Sequence, residues 1–221
     1  MKYPPEFEIY LKPGRFTDSA SPAVIDYAKT VTRNEDRDVD KAVALYYAIR
    51  DGFQYNPYHL DLRPQSLKAS ALLSRDYGYC VEKANLLAAS ARALGIPSRL
   101  GFANVKNHIA TEKLEKILRT DVLVFHGYAE LFLDGRWIKA TPAFNRQLCE
   151  KLNVDPLEFD GTGDSMFQQY NREGGNFMEY LHDYGHFPDV PYDLFLQELK
   201  KHYPHVFEEQ RRYEKKINII I

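Results

Sequence analysis

An α+β fold, with helices packed on an antiparallel sheet, follows from three observations. Apolar residues recur three and four apart over residues 22–51 and again from Cys80 to Leu94, which is helical periodicity. The segment "DVLVFHGYAELFLDGRWIKATPAF" sets β-branched and aromatic residues around Asp134-Gly135, a favoured two-residue hairpin turn. At 221 residues, with 44% hydrophobic and 27% charged side chains, the chain can bury one sizeable core.

The elements follow in chain order. The opening "MKYPPEFEIYLKPGRF" places prolines and charges where a signal peptide needs a continuous apolar run, and no later segment reaches membrane-spanning length. A cytoplasmic protein without membrane contact is the expectation. Net charge is −2 with no lysine or arginine block, so no electrostatic footprint for nucleic acid exists. Helices are expected over 22–33 and 38–51, then an irregular aromatic loop, "GFQYNPYHLDLRP", and a short helical patch, "SLKASALLSR". On a helical wheel, Ala84, Leu87, Ala88, Ala91 and Leu94 fall within about 80° of Cys80, with Glu82 and Asn85 opposite. Cys80 therefore faces inward. Gly95 suits the left-handed cap of this helix, Pro97 ends it, and "SRLGFANV" reads as a strand. A short helix at "TEKLEKIL" precedes the hairpin. From about residue 146 the sequence reads as loops and short turns, closed by a helix, "YDLFLQELKKHY", that stops near Pro204. With no repeat and no linker, residues 1–221 are expected to form a single domain, with a core over about 22–145 and an extension, 146–221, covering a cleft. The apolar end, "KKINIII", suits an edge strand that pairs with its own chain or another.

Chemistry concentrates on few residues. Two cysteines cannot build a disulfide framework, so Cys80 and Cys149 are expected as free thiols. Cys80 stands at a helix start, where the positive end of the dipole favours a thiolate. A turn at Asp134-Gly135 sets Phe132 opposite Trp137, Glu130 opposite Lys139, Tyr128 opposite Thr141 and His126 near Ala143, all on one face. A thiol nucleophile needs a base, and a histidine base needs a third group to fix its tautomer. Cys80 and His126 supply the first two residue types. His182 and His186 have metal-ligand spacing for a helix, but Gly185 and Pro188 break any helix there. "DGTGD" lacks the alternating oxygen ligands of a calcium loop. Cys149 has no base near it in sequence and reads as structural. Neither metal nor organic cofactor is expected. Tyr55, Tyr58, Tyr77, Tyr79 and Tyr128 either line a cleft or simply pack.

Taken together, "YGYCVEKANLLAASARALGIPSRLGF", "HGYAELFLDGRWIKATPAF" and, more loosely, "KAVALYYAIRDGFQYNPY" resemble the transglutaminase-like superfamily of cysteine-protease-like domains over roughly residues 22–145. The resemblance implies a transglutaminase core of helices on an antiparallel sheet and a Cys-His-Asp triad, with Cys80 as nucleophile and His126 as base. It implies acyl transfer or hydrolysis on a peptide or protein amide. The third position departs from the family pattern, because Thr141 stands where an aspartate is usual. A threonine hydroxyl accepts a hydrogen bond from imidazole but brings no charge to an imidazolium. Asp160, in the glycine-rich "EFDGTGDS", is the leading candidate for a carboxylate arriving from elsewhere, with Asp164 and Glu130 behind it. If the triad is broken, the alternative is a non-catalytic module that binds peptide or protein in the same cleft.

Overall fold

The computed structural model describes residues 3–108, 112–166, 170–209 and 218–220. A 3-10 turn, Pro5–Tyr10, precedes α1 (Pro22–Val31) and α2 (Asp38–Gly52), and Phe7 of that turn stacks on Trp137 at 5.7 Å. The aromatic loop holds two short strands, β1 (Gln54–Tyr55) and β2 (His59–Asp61). Then come α3 (Ala69–Leu72), β3 (Tyr77–Gly78), α4 (Cys80–Ala93), β4 (Ser98–Asn107) and α5 (Glu112–Leu118). The hairpin is β5 (Val122–Leu133) and β6 (Arg136–Ala140), followed by α6 (Arg146–Lys151), β7 (Met178–Phe187), α7 (Tyr192–His202), α8 (Pro204–Glu209) and β8 (Asn218–Ile220). The main sheet is antiparallel, in the order β6-β5-β4-β7. The expected α+β fold is thus observed. Among the described residues no helix is long and apolar enough to cross a membrane.

The hairpin turns as expected, with Asp134 (φ 47°) and Gly135 (φ 85°) both left-handed, as a type I′ turn requires. Phe132 pairs with Trp137 and Glu130 with Lys139. The ladder then stops at Ala129–Ala140. The Thr141 N–H donates to the Ser165 carbonyl at 2.8 Å, so the chain leaves β5 before Tyr128 can pair with Thr141 or His126 with Ala143. Glu130 also has a different ionic partner from the one expected. It binds Arg99 of β4 at 2.5 Å, and Arg99 lies over the Trp137 ring, while the Lys139 ammonium lies over Tyr128.

Helix α4 is the centre of the molecule, packed by α1, α2, α3, β4 and β5. Its polar side is therefore buried too, unlike the amphipathic helix the wheel suggests. Asn85 accepts from Thr17 Oγ1 at 2.7 Å and donates to the Phe16 and Leu67 carbonyls. Lys83 Nζ donates to three carbonyls, those of Arg50, Phe53 and Ala143, at 2.7 to 2.9 Å. Glu82 pairs with Arg75 and accepts the Tyr79 N–H at 3.1 Å, capping the helix start. These contacts offset the cost of burying charge and amide in a low-dielectric core.

The region expected to be loops contains a long strand. β7 is an edge of the sheet, largely exposed on one side, and two register shifts against β4 break its alternation. With period two disrupted and Gly185 at φ 80°, the pattern reads as turns in sequence. His182 and His186 accordingly lie on a strand. β8 pairs in parallel with β2 of the same chain.

Candidate functional site

Cys80 begins α4, and its neighbour Val81 sits against Gly127, the residue after His126 on β5. A Cβ built on Gly127 would stand 2.9 Å from Val81 Cα and 3.3 Å from Val81 N. Only glycine lets the helix start approach the strand this closely. The same approach lets the Gly127 N–H donate to the Cys80 sulfur, joined by the Val81 N–H.

His126 reaches this point through a distortion of β5. The β4–β5 register slips between Ala103–His126 and Val105–Leu123, placing an extra residue in β5, and Phe125 takes a left-handed backbone with φ 60°. A bulky residue in that region costs on the order of 1–3 kcal/mol and persists only where its surroundings enforce it. Here the Phe125 N–H donates to Asn104 Oδ1 at 3.0 Å, and the Val124 N–H to the Tyr203 hydroxyl at 2.8 Å. The Phe125 ring packs on Phe102, Tyr184 and Phe195 at 4.5 to 5.3 Å between centroids. Such bulges re-aim side chains beside functional sites, and this one immediately precedes His126.

Cys80 and His126 line one cavity of about 70 Å³, together with Leu114 and Leu118 of α5 and Phe195 and Leu199 of α7. His126 and Thr141 line a second, narrower void with Phe144. The imidazole is therefore a shared wall, with the thiol's cavity on one side and the threonine's void on the other. His126 Nδ1 and Thr141 Oγ1 are both buried without a hydrogen-bond partner among the described residues. The threonine loop is pinned from three elements, α4, α2 and β1. Lys83 holds the Ala143 carbonyl, the Tyr46 hydroxyl donates to the Thr141 carbonyl at 3.2 Å, and Asn145 Oδ1 accepts the Tyr55 N–H at 3.0 Å.

Asp160 does not come to the imidazole. Its carboxylate is exposed and accepts the Thr162 N–H at 2.7 Å and the Thr162 hydroxyl at 2.9 Å, a local turn that uses both oxygens. Asp164 accepts the Lys139 N–H on the outer edge of β6, and Glu130 is held by Arg99. Cys149 is fully buried, its Sγ 3.8 Å from the Phe144 carbonyl.

Burial sets the charge state. It pushes the Cys80 thiol up to about 11, the Gly127 and Val81 amides pulling only partly the other way. It pulls the His126 imidazole down to about 4. A helix dipole is worth about 0.3–2 kcal/mol, whereas two pK units are about 2.7 kcal/mol, so burial outweighs the dipole expected to favour a thiolate. The resting pair is a neutral thiol beside a neutral imidazole.

Tyr55, which the sequence left between lining a cleft and packing, lines the cavity with its hydroxyl on the Cys80 thiol, and its ring meets Phe144 edge-on at 4.7 Å. Sequence reasoning missed the roles of Gly127 and the Phe125 bulge, and the signal for them is the glycine directly after His126.

The family model for the transglutaminase-like superfamily matches residues 25–142, more than half of the chain. The match spans Cys80, His126 and Thr141. No curated protein matches the sequence. Among solved structures, a protein from Cytophaga hutchinsonii, provisionally assigned as a cysteine protease, superposes with a TM-score of 0.51 at 15% identity, covering 84% of this chain and 55% of that one. A provisional protease from Parabacteroides distasonis ATCC 8503 gives 0.38 at 18% identity, covering 61% of this chain and 25% of that one. The first likeness is one of fold, and the chain spans about half the length of that structure.

Proposed function

The chain belongs to the transglutaminase-like superfamily, and from that premise we propose that it performs thiol-dependent acyl chemistry on an amide, with Cys80 as nucleophile and His126 as base. The observation that carries this reading is the single cavity lined by the thiol and the imidazole, with the Gly127 N–H directed at the sulfur. Since both groups rest neutral, the proton moves during attack. Cys80 Sγ bonds to the carbonyl carbon as its proton passes to His126, which then delivers it to the departing nitrogen as the C–N bond breaks. Water resolves the thioester in a peptidase or amidase, and an amine does so in a transglutaminase. This sequence of steps requires neither metal nor organic cofactor.

Two N–H or O–H groups beside the sulfur suit the developing oxyanion, the Cys80 backbone N–H and the Tyr55 hydroxyl. Thr141 takes the third position across the narrow void, where its hydroxyl would have to close on Nδ1 to hold the ring and would lend it no charge. The cysteine-protease assignment of the Cytophaga structure supports a peptide or protein amide as substrate.

Thr141 in place of an aspartate, with the void between it and His126, favours one rival: a module that binds a peptide in the cleft without turning it over. Iodoacetamide labelling near neutral pH separates the two. Activity predicts that Cys80 is labelled faster than Cys149 and that His126→Ala slows it. Equally slow labelling of both thiols sinks the activated-nucleophile reading.

A further inference from the structure

The cavity beside Cys80 has a chemical character that the reaction alone does not require. One wall is aliphatic and aromatic, built from Leu118, Leu123, Phe195 and Leu199, and among the described residues no Asp, Glu, Lys or Arg lines it. Its hydroxyls are nearly all committed. That of Tyr203 is bonded to the Val122 carbonyl and the Val124 N–H, and that of Tyr55 to the thiol. Tyr79, with its hydroxyl buried and unpartnered, is the one left.

Close-packed interiors leave few voids larger than a water molecule, so an apolar space of about 70 Å³ against a nucleophile is a place for a ligand. A dry cavity of ~150 Å³ accepts a benzene ring, which scales this one to about three heavy atoms. After the amine departs, the acyl chain stays on the sulfur and must occupy space next to it. The apolar lining suits that acyl chain and offers a departing amine or an incoming water few polar partners.

Resting on the thiol reading above, we propose that this cavity is an acyl-side specificity pocket, taking a compact apolar group of about three carbons next to the scissile carbonyl over carboxamide-bearing or carboxylate-bearing groups. A carboxylate would be stripped of water with no Lys or Arg among the described lining residues to meet it. A glutamine-like carboxamide brings two donors and two acceptor sites, against one free hydroxyl.

The test uses the full chain with p-nitrophenyl acetate, butyrate, hexanoate and hemisuccinate, following acylation of Cys80 by intact mass with Cys80→Ser as control. In each case the ester C–O bond breaks, p-nitrophenolate leaves and a thioester forms on Cys80 Sγ. Butyrate is expected to acylate at least tenfold faster than the hemisuccinate of equal length. Leu199→Ala and Leu118→Ala should each raise the hexanoate-to-butyrate ratio at least threefold. These ratios are taken within one variant, so partial unfolding cancels. Equal rates for butyrate and hemisuccinate, or unchanged ratios in both variants, overturn the pocket while leaving the thiol reading intact. No acylation of Cys80 by any ester overturns both.

Discussion

Replacing Gly127 with alanine tests whether the meeting of helix and strand, and not merely the presence of Cys80 and His126, makes the site. The new Cβ would lie 2.9 Å from Val81 Cα, whereas carbon atoms pack at about 3.5–4.0 Å, so the start of α4 must retreat by roughly 0.5–1 Å. Forcing one extra methyl into a packed core costs about 1–3 kcal/mol, which for a chain of this size lowers the melting temperature by about 2–10 °C. The retreat also pulls the Cys80 sulfur from the Gly127 N–H and from His126. A misplacement near 1 Å costs about a hundredfold in rate, so Cys80 alkylation by iodoacetamide should slow by one to two orders of magnitude at a temperature where the variant remains folded. Alkylation of Cys149 in unfolded protein serves as the reference for thiol chemistry unaffected by the site. A Gly127→Ala protein that melts with the parent and alkylates Cys80 at the parental rate would refute the argument that this glycine sets the approach.

Three further outcomes follow from the same geometry. Thr141→Asp should speed Cys80 alkylation tenfold or more, by giving the imidazolium a charged partner, and a rate equal to the parent's would show that Thr141 does not address the ring. Lys83→Met should cost about 3–5 kcal/mol in urea unfolding, because three buried carbonyls lose their shared donor, and a cost below 1 kcal/mol would contradict that role. His126 is held at about 4 when folded against 6.5 when free, so the unfolded chain binds the extra proton first as pH falls from 6.5 to 4. Native stability should therefore drop across that window by up to about 3 kcal/mol, and His126→Gln should lose this part of the acid limb; a parental acid limb in the variant would argue against a buried neutral histidine.

How far the sequence reaches depends on whether a residue's role is local. The Asp134-Gly135 turn, the Phe132–Trp137 and Glu130–Lys139 pairs and the start of α4 at Cys80 follow from periodicity and turn chemistry, and all are found in place. The full burial of Asn85 and Lys83 is not legible, since a helical wheel knows one face of a helix and cannot count the neighbours on the other. β7 escapes notice because register slips erase the alternation by which strands are read. The partner of Glu130 is misjudged for a related reason: two cations flank it on neighbouring strands, and only packing chooses Arg99.

The candidate site divides the same way. Residue types and order, a cysteine at a helix start, a histidine on the following hairpin and a threonine beyond its turn, are properties of the chain, and by themselves they determine the family and the pair most suited to thiol chemistry. Their alignment is a property of the fold. A glycine-sized gap beside Val81, a left-handed Phe125 and a buried Lys83 set the imidazole between the cavity it shares with the thiol and the void it shares with Thr141, whereas Asp160 turns its carboxylate to solvent. The charge state also belongs to the tertiary structure, because the burial that leaves Cys80 and His126 neutral is made by elements that only the fold brings together, among them α5 and α7, which line the cavity and are remote in sequence from Cys80.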